Sequence, residues 1–494
     1  MPSLLRTLTS WAAGLDLADV PDRVVELAGS QILSQLAAIR AGLAHPLGGR
    51  LVRAYGPPRQ ADPRQAACVL AALGSWLNLD DTAYAGHLGN STVAVPLAYA
   101  GPRELDGRRL LAAVIAANEC AARITAAATL GPLRGQSALH THLAGGVAGR
   151  LRCEDAPPDR WTDALSLAFS SPPWPVMHAF LGGDAKLFNA FTPVRMAMDS
   201  CDAAAAGLGG PEDVLEHPDG FLSRFATVPL PEVLTRGLGE RWHTETLSFK
   251  VRPGGPGVDA AVDCAVRLHP QLPGDWLERL DRIDVDASVY TVHVGERSGR
   301  YAEGPGAALS SLLLAVPYCV ATALLTGDLT VADFQEPAVR DPRRWELAAR
   351  VRLRHDARLT RALFDSTAPF GEALREAGPR AVDWLGQLGG ARLAELLDPA
   401  GTPAVDFADA VKRTPAHVTV GLTGGAVHRA EQDVPVGGNG PDTRARHGEL
   451  MRHKYLTHGG SPATADAWAD LAKLSAPEVA RLVAASLPRV PAPR

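Results

Sequence analysis

The chain has 494 residues, 21% of them charged, and carries a net charge of −5 at pH 7. This balance excludes the basic surface of a nucleic-acid-binding protein, and the length predicts two or three domains. No stretch reaches the roughly 18 apolar residues of a membrane span, and the apolar run at the N-terminus is too short for a signal peptide, so we expect a soluble, cytoplasmic protein with no membrane partner.

Residues 1 to about 245 have the periodicity of α-helices. Alanine and leucine recur three and four positions apart in runs that begin near Val24, Gln65 and Leu110. Clusters of proline and glycine separate these runs, and strand-like alternation is nearly absent. The pattern predicts an all-α domain.

The pattern changes near residue 246. Alternating or β-branched runs, which are typical of strands, occur at residues 246–251, 259–268, 283–294, 349–354 and 417–422. An apolar stretch among them, just before the fourth run, has the character of a helix. The mixture predicts an α+β module.

Towards the C-terminus the helical pattern returns, in runs that begin at Ala463 and Ser475, before a short proline-rich tail that we expect to be frayed. We therefore predict a multi-domain α and α+β fold. A large all-α helical domain is built from both chain ends, 1–245 and 431–494, and an α+β lid domain over 246–430 is inserted between them. The cleft between two such domains is the expected place for a small-molecule site.

Lysine is rare, with five of the 49 basic residues. This bias is typical of GC-rich coding, which replaces lysine with arginine wherever charge alone matters. The remaining lysines are therefore enriched at sites that need a compact ammonium group with an adjustable pKa. Lys186 and Lys250 lie in apolar, glycine-punctuated segments and are the candidates, whereas we interpret Lys412, Lys454 and Lys473 as surface residues left by chance.

The six cysteines are never within 30 residues of one another, so no zinc or iron–sulfur spacing exists. No GxGxxG motif stands between a strand and a helix. The sequence predicts buried thiols in a reducing compartment, with no metal and no cofactor.

The segment L77-N-L-D-D-T-A-Y-A-G-H87 places polar groups directly after an apolar helix predicted over 64–78. Asp81 or Thr82 can cap the next helix, which is predicted to start near Thr92. Alternatively, these groups carry chemistry. The segment alone does not decide between the two interpretations.

Other polar residues stand in apolar segments punctuated by glycine or proline: His140, Lys186, Lys250 and Tyr318. Ammonium groups bind carboxylates through charge-assisted hydrogen bonds, and histidines exchange protons near neutral pH. Together with His87 they suit a carboxylate-bearing small molecule and acid/base chemistry at carbon. A metal site on His140 and His142 is disfavoured because no third ligand has a recognisable spacing.

Five motifs, in this order and spacing, resemble those of the MmgE/PrpD family, which includes 2-methylcitrate dehydratase, cis-aconitate decarboxylase and iminodisuccinate epimerase. The matching segments are N78-L-D-D-T-A-Y-A-G-H87, H140-T-H-L-A-G-G-V-A-G149, D184-A-K-L187, S248-F-K250, and V316-P-Y318 with the segment that continues to F334. The resemblance covers nearly the whole chain. It implies a helical domain with a lid, a homodimer, and a cofactor-free active site in the interdomain cleft.

The resemblance also implies roles for individual residues. His87 and His140 correspond to the acid/base histidines of the family. Lys186 and Lys250 correspond to the lysines that bind the carboxylates of the substrate.

Thr82 and Tyr318 are implied as hydrogen-bond donors to the substrate, and Asp81 as the residue that orders the loop and orients a histidine. The chain departs from the family pattern at Asn78, which stands where the family has an acid and which can bind substrate only by hydrogen bonds. It departs again at 253–258, where a glycine-rich run replaces a Pro-x-Cys/Arg…Thr-His run.

A third departure is the segment over 358–415, which is longer than the family usually carries and which we expect to enlarge the lid. Three hypotheses follow. The first is a lyase that dehydrates or decarboxylates a small di- or tricarboxylate. The second is a repurposed isomerase, epimerase or cyclase that acts on a larger, less charged intermediate in natural-product metabolism. The third is a non-catalytic binding protein.

Overall fold

The structure is a computed structural model that describes residues 2–131, 138–389, 391–396 and 401–487. The proline-rich tail, residues 488–494, lies outside the described residues. The helices of the first 245 residues are α1 (Leu4–Ala13), α2 (Asp22–Ala44), α3 (Pro46–Tyr55), α4 (Pro63–Ser75), α5 (Gly89–Thr92), α6 (Ala94–Ala100), α7 (Gly107–Ala127), α8 (Leu139–Cys153), α9 (Pro158–Phe169), α10 (Met177–Gly182), α11 (Phe188–Ala205) and α12 (Phe221–Phe225).

The later helices are α13 (Asp259–Leu268), α14 (Val289–Gly299), α15 (Leu309–Leu312), α16 (Val316–Thr326), α17 (Pro342–Ala348), α18 (Ala357–Asp365), α19 (Gly371–Ala377), α20 (Ala381–Gly389), α21 (Pro441–Thr457), α22 (Pro462–Ala469) and α23 (Ala476–Ser486). The strands are β1 (Thr82–Ala83), β2 (Gly86–His87), β3 (Leu280–Ala287), β4 (Val351–His355), β5 (Ala416–Leu422) and β6 (Val427–Gln432).

Helix α7 lies at the centre of the helical domain. The Asp106 side chain caps it by accepting a hydrogen bond from the Arg109 amide at 2.8 Å. The helix packs against α8, and it has the length and composition of a membrane span. All of its apolar window is buried inside the protein, as in the core helix of a globular domain.

The two ends of the chain share one core, as predicted. Helix α21 packs along α2, and the apolar residues of α21 to α23 belong to the same buried cluster as those of α1 to α9. The predicted fold class is therefore confirmed: a large helical domain and a smaller α+β domain, each with its own apolar core.

The α+β domain contains a four-stranded sheet in the order β4-β3-β5-β6. Strand β3 is parallel to β4 and antiparallel to β5, and β5 is antiparallel to β6. The inward side chains of β3 and β5, among them Ile283, Val285, Val418 and Val420, pack against α13 and α16. The strand predictions at 349–354 and 417–422 are confirmed.

Two strand predictions are wrong and one is half right. Residues 259–268 form α13, because Ala261, Ala265 and Leu268 recur at helical spacing and bury that face on the sheet. Residues 246–251 are not a strand, although Ser248 makes an isolated bridge to Thr82. The run at 283–294 is a strand only to residue 287, after which α14 begins.

We call the segment over 358–415 the extension. The expectation that it enlarges the lid is wrong. Its apolar side chains, including Phe364, Trp384 and Phe407, join the core of the helical domain. The Trp384 indole donates to the Gly131 carbonyl at 3.0 Å. The extension is therefore bound to the helical domain, although it lies between two strands of the lid sheet in sequence.

A buried ion-pair cluster anchors the extension. The Arg241 guanidinium pairs with Glu372 and, at 3.0 Å, with Glu376, and Glu372 also accepts from Arg375 at 2.9 Å. Arg241 and Glu372 are almost completely buried. Burial makes this cluster sensitive to the loss of any one partner.

Replacing Glu372 with alanine is expected to lower the free energy of unfolding by about 3–5 kcal/mol, because it leaves a buried guanidinium undercompensated. Chemical denaturation followed by tryptophan fluorescence measures the change. The exposed Glu449, paired with Arg446 at 3.2 Å, is the matched control, and its alanine variant is expected to change stability by less than about 0.5 kcal/mol. Equal stability of the two variants would contradict the anchoring role.

Candidate active site

A cavity of about 250 Å³ lies between the helical domain and the lid. The helical domain contributes polar side chains to its wall, chiefly Asn78, His87, Asn90, His140, His142 and Lys186. The lid contributes one face of α14 with Leu314, and the extension contributes Phe370. The cavity is thus placed in the interdomain cleft that the sequence predicted.

The loop after α4 contributes Asn78 and His87 to this wall. The chain turns at Asn78, whose φ is 48°, in the left-handed region that asparagine tolerates. It then forms the β1–β2 hairpin, in which Thr82 pairs with His87. The other edge of Thr82 exchanges two backbone hydrogen bonds with Ser248, at 2.9 and 2.8 Å. The hairpin is therefore held from both sides and presents His87 in a fixed position.

His87 is bonded to Asp80. Its Nδ1 lies 2.6 Å from Asp80 Oδ2, and the Asn90 amide donates to the same oxygen at 2.8 Å. Asp80 is completely buried, whereas the His87 side chain is 23% exposed and lines the cavity. With Nδ1 bonded to the carboxylate, Nε2 is the nitrogen left for a substrate.

The charges around this pair favour an ionised Asp80 and a neutral His87. Burial alone raises the pKa of the Asp80 carboxyl, but the nearby His87, Lys250 and Lys186 overcome it and lower the pKa. Burial lowers the pKa of His87 below 6.5 against the attraction of Asp80, and Lys250 and Lys186 lower it further. At neutral pH the imidazole is an available proton acceptor.

Asp81 has a different task. Its Oδ1 accepts from the Gln31 amide at 3.0 Å and from the Gly89 backbone amide at 3.1 Å, at the first residue of α5. A Cβ at Gly89 would lie 2.4 Å from Asp81 Oδ2, so only glycine permits this approach. Burial and the neighbouring Asp80 raise the pKa of Asp81 to about 7.

The loop therefore contains both a carboxylate that bonds to a helix N-terminus and a histidine that faces the cavity. The Asp81 carboxylate accepts from the first backbone amide of α5, and the residue bonded to the His87 ring is Asp80. The expectation that Asp81 orients a histidine is corrected, because both of its described hydrogen bonds go to Gln31 and Gly89.

Two candidate lysines lie close to Asp80. Lys186 Nζ donates to the Ser75 carbonyl at 2.6 Å and stands 5.7 Å from the centre of the Phe180 ring. Burial lowers its pKa to about 7, against the attraction of Asp80. Lys250 is equally buried, has no hydrogen-bond partner for Nζ among the described residues, and has its pKa lowered to about 8, mainly by burial.

A third buried lysine was missed. Lys454 on α21 donates to Ser34 Oγ at 2.8 Å and to the Leu79 carbonyl of the loop. Burial lowers its pKa to about 7, and Asp80 and Asp81 oppose the shift. Its interpretation as a surface residue is wrong.

Lys412 is also buried and pairs with Asp259 at 3.3 Å, so its interpretation as a surface residue is wrong as well. Of the three lysines set aside as chance surface residues, only Lys473, 79% exposed, fits that description. Four of the five lysines are therefore buried.

His140 and His142 both line the cavity from the first turn of α8. The His140 ring packs on Phe225 with centroids 4.7 Å apart, and neither ring nitrogen has a hydrogen-bond partner among the described residues. The His142 ring lies 6.4 Å from that of His87. Burial lowers the pKa of both histidines to about 3.

The structure therefore brings together His87, His140, Lys186 and Asn78 at the cavity wall, with Lys250 buried beside Asp80. It does not bring Tyr318 there. The Tyr318 hydroxyl donates to the Asp333 carbonyl at 2.6 Å inside the lid core.

Thr82 is likewise not part of the wall, and its described role is backbone pairing within the hairpin and with Ser248. Sequence reasoning missed Asp80, His142 and, from the lid, His293, which also lines the cavity. The adjacent acids and the two histidines two positions apart were visible in the sequence, but the sequence did not show which acid bonds to His87 or that both histidines line the cavity. Nothing in the sequence marked His293.

Among the described residues, no group of three or more histidine, cysteine, aspartate or glutamate side chains is arranged to hold a metal ion. The cysteines in this part of the chain are buried as free thiols, as expected. Burial raises the pKa of the Cys120 thiol to about 12, so it is protonated at neutral pH.

Comparison with known proteins gives two family matches and two relatives. The MmgE/PrpD N-terminal domain matches residues 6–233, and the MmgE/PrpD C-terminal domain matches residues 256–376. A cis-aconitate decarboxylase from Aspergillus terreus strain NIH 2624 / FGSC A1156 is 25% identical over 381 residues, which cover 70% of this chain and 77% of the relative. A second cis-aconitate decarboxylase from Aspergillus terreus is 25% identical over 378 residues, 69% of this chain and 76% of the relative.

Proposed function

Because this chain belongs to the MmgE/PrpD family, we propose that it is a cofactor-independent lyase that acts by proton transfer on a carboxylate-bearing small molecule, with dehydration or decarboxylation as the overall reaction. The similarity to two cis-aconitate decarboxylases supports the reaction class. The single observation that carries the mechanism is the His87–Asp80 pair at the cavity wall, beside two buried ammonium groups.

In this proposal His87 is the general base. Its Nδ1–H donates to Asp80, so the Nε2 lone pair takes a proton from the carbon α to the substrate carboxylate. The ionised Asp80 holds the ring in this tautomer and stabilises the imidazolium that forms.

Lys186 and Lys250 bind the carboxylate and stabilise the negative charge that develops on it as the carbon loses its proton. Lys186, with a pKa of about 7, also donates a proton at neutral pH. In a dehydration this proton goes to the leaving hydroxyl. In a decarboxylation no α proton is removed: the electron pair of the C–CO₂ bond stays on the carbon that CO₂ leaves, and that carbon takes the proton of Lys186.

The rate constant kcat/KM is expected to have a bell-shaped dependence on pH, because it reports the free enzyme. It falls at acid pH as His87 is protonated, with a pKa below 6.5, and at alkaline pH as Lys186 loses its proton around its pKa of about 7. A pH–rate series with a Lys186→Met control, which has no ammonium to titrate, measures both limbs. A wild-type kcat/KM that rises steadily from pH 7 to about pH 9 would contradict this assignment.

The reaction class is tested by incubating the purified enzyme with cis-aconitate and with 2-methylcitrate. Release of CO₂ or a change in alkene absorbance supports the lyase. If neither compound is converted, the second candidate function, described next, is favoured over the lyase.

The second candidate is an isomerase, epimerase or cyclase of natural-product metabolism, built on the same base. It is favoured by Asn78, which lines the cavity where the family has an acid, and by the apolar side chains that make up most of the remaining wall. Solvent deuterium that enters the substrate without loss of water or CO₂ distinguishes it from a lyase.

We further propose that the protein is a cytoplasmic homodimer, as the family resemblance implies. Light scattering on the purified chain gives the mass in solution. A monomer at micromolar concentration would contradict this expectation.

A further inference from the structure

The charge on the cavity wall limits the kind of acid that the site can hold. Among the described lining residues none is acidic, and the cationic side chains other than histidine are Lys186 and Arg297. The histidines are no substitute at neutral pH, since burial lowers their pKa values, to about 3 for His140 and His142.

The second layer adds little positive charge. Lys250 and Lys454 contribute two ammonium groups, and the carboxyl groups of Asp80 and Asp81 offset them. The two cationic side chains of the wall are left, so the net charge is at most two, which matches one or two carboxylates. A third carboxylate would be buried without a counter-charge, which is strongly unfavourable.

An apolar wall begins directly beside the ammonium group. The Phe180 ring lies 5.7 Å from Lys186 Nζ, and Leu181 of the same short helix α10 also faces the cavity. The Phe225 ring packs on His140 with centroids 4.7 Å apart. A substituent next to a bound carboxylate would therefore contact aromatic and aliphatic surface.

Helix α14 of the lid supplies the other wall. Its residues at positions 290, 293, 294, 297 and 298 line the cavity, and their spacing of three and four places them on one helical face. Val294 is the aliphatic member of this face. Tyr290 packs on Phe370 of the extension with ring centroids 5.0 Å apart, so the lid wall continues into the part of the wall that the extension contributes.

We propose, on the basis of the lyase or isomerase function above, that the substrate is a mono- or dicarboxylate with a bulky apolar substituent, and that Val294 and Phe180 select for that substituent. The carboxylate lies against Lys186, and the substituent fills the space between α10 and α14. Compact tricarboxylates bind more weakly, because of their charge and not because of their size.

The test is a set of dissociation constants measured by titration calorimetry on the full-length protein. The probes are succinate, butylsuccinate and the tricarboxylate tricarballylate. Each buried methylene tightens binding by about fourfold, so butylsuccinate is expected to bind at least about tenfold more tightly than succinate and than tricarballylate. Tricarballylate that binds as tightly as butylsuccinate would overturn the proposal.

Variants of Val294 test the contact itself. Val294→Lys is expected to weaken butylsuccinate binding about tenfold, because it puts a charge in the apolar wall. The ratio of the dissociation constants of tricarballylate and butylsuccinate should therefore decrease. Val294→Ala, a milder change, is expected to weaken butylsuccinate binding by about three- to tenfold. The control is Val427→Lys on β6, where the valine is 55% exposed, and it should bind all probes like wild type.

Unchanged butylsuccinate affinity in both folded Val294 variants would also overturn the proposal. Its failure is distinguishable from failure of the proposed function. If a tricarboxylate is turned over and butylsuccinate does not bind more tightly, the proposed substrate class is wrong and the proposed enzymatic function stands. If butylsuccinate binds more tightly as predicted but no proton transfer to any compound is detected, the enzymatic function is wrong and the proposed ligand class stands.

Discussion

Replacing His87 with glutamine lowers kcat by about a hundred- to ten-thousandfold, the usual contribution of a general base. Glutamine keeps a polar side chain of similar reach that can still contact Asp80, but it has no nitrogen that accepts a proton at neutral pH. The variant is expected to fold, since the hairpin that carries His87 is held by backbone bonds to Ser248. The rate of CO₂ or alkene formation, or of isotope exchange, measures the loss.

The matched control is His453→Gln, an exposed histidine on α21 outside the cavity. It is expected to keep wild-type kcat. A His87→Gln enzyme within about threefold of wild type, with an unchanged unfolding temperature, would remove His87 from the mechanism.

Replacing Asp80 with asparagine is expected to lower kcat by about a hundredfold or more with a small change in KM, because the imidazole loses the carboxylate that fixes its tautomer and stabilises its cation. Asp80 is a positioning residue, so its test needs more than a rate. Its charge raises the pKa of His87, Lys186 and Lys250. Without that charge, both limbs of the pH–rate profile should move to lower pH.

Asp81→Asn is the matched control, one residue away and equally buried. Asp81 bonds to Gln31 and Gly89 and not to His87, so its variant is expected to lose stability and to keep kcat within about threefold. If the two variants lose activity equally, or if the pH profile of Asp80→Asn does not move, the positioning role is rejected.

Most of the fold was predictable because long helices carry a strong periodic signal. The runs at α2, α4 and α7 identified the helical domain, and the β-branched runs at β4 and β5 identified the lid sheet. The failure at α13 has a physical origin. A short apolar run such as 259–268 satisfies both periods, and burial against a sheet decides between them.

The extension was misplaced for a related reason. Its position in sequence, between two lid strands, suggested that it packs with the lid. Its apolar side chains and the Arg241–Glu372 pair bind it instead to the helical domain, and only long-range contacts reveal this.

The site was predictable in its residue types and less so in its individual members. The motifs pointed to His87, His140, Lys186 and Lys250, and all four lie at the cavity wall or directly behind it. Asp80 could not be separated from its neighbour Asp81 by sequence. Which of two adjacent acids faces a histidine depends on the turn that precedes it.

At Tyr318 the motif predicted a site residue that the structure does not place at the cavity. Its motif resembles the family, but in this chain its hydroxyl is bonded inside the lid core. The scarcity of lysine applied to more residues than the two predicted from it, because four of the five lysines are buried and three of them act on the Asp80 carboxylate.

The central claim is that His87, oriented by Asp80, moves a proton at the carbon α to a carboxylate. The most direct measurement is isotope exchange in D₂O with cis-aconitate, 2-methylcitrate and butylsuccinate, followed by mass spectrometry. Wild-type enzyme is predicted to exchange deuterium at that carbon of at least one compound, and His87→Gln at that carbon of none. No exchange by the wild type with any of the three, or equal exchange by the variant, would contradict the mechanism.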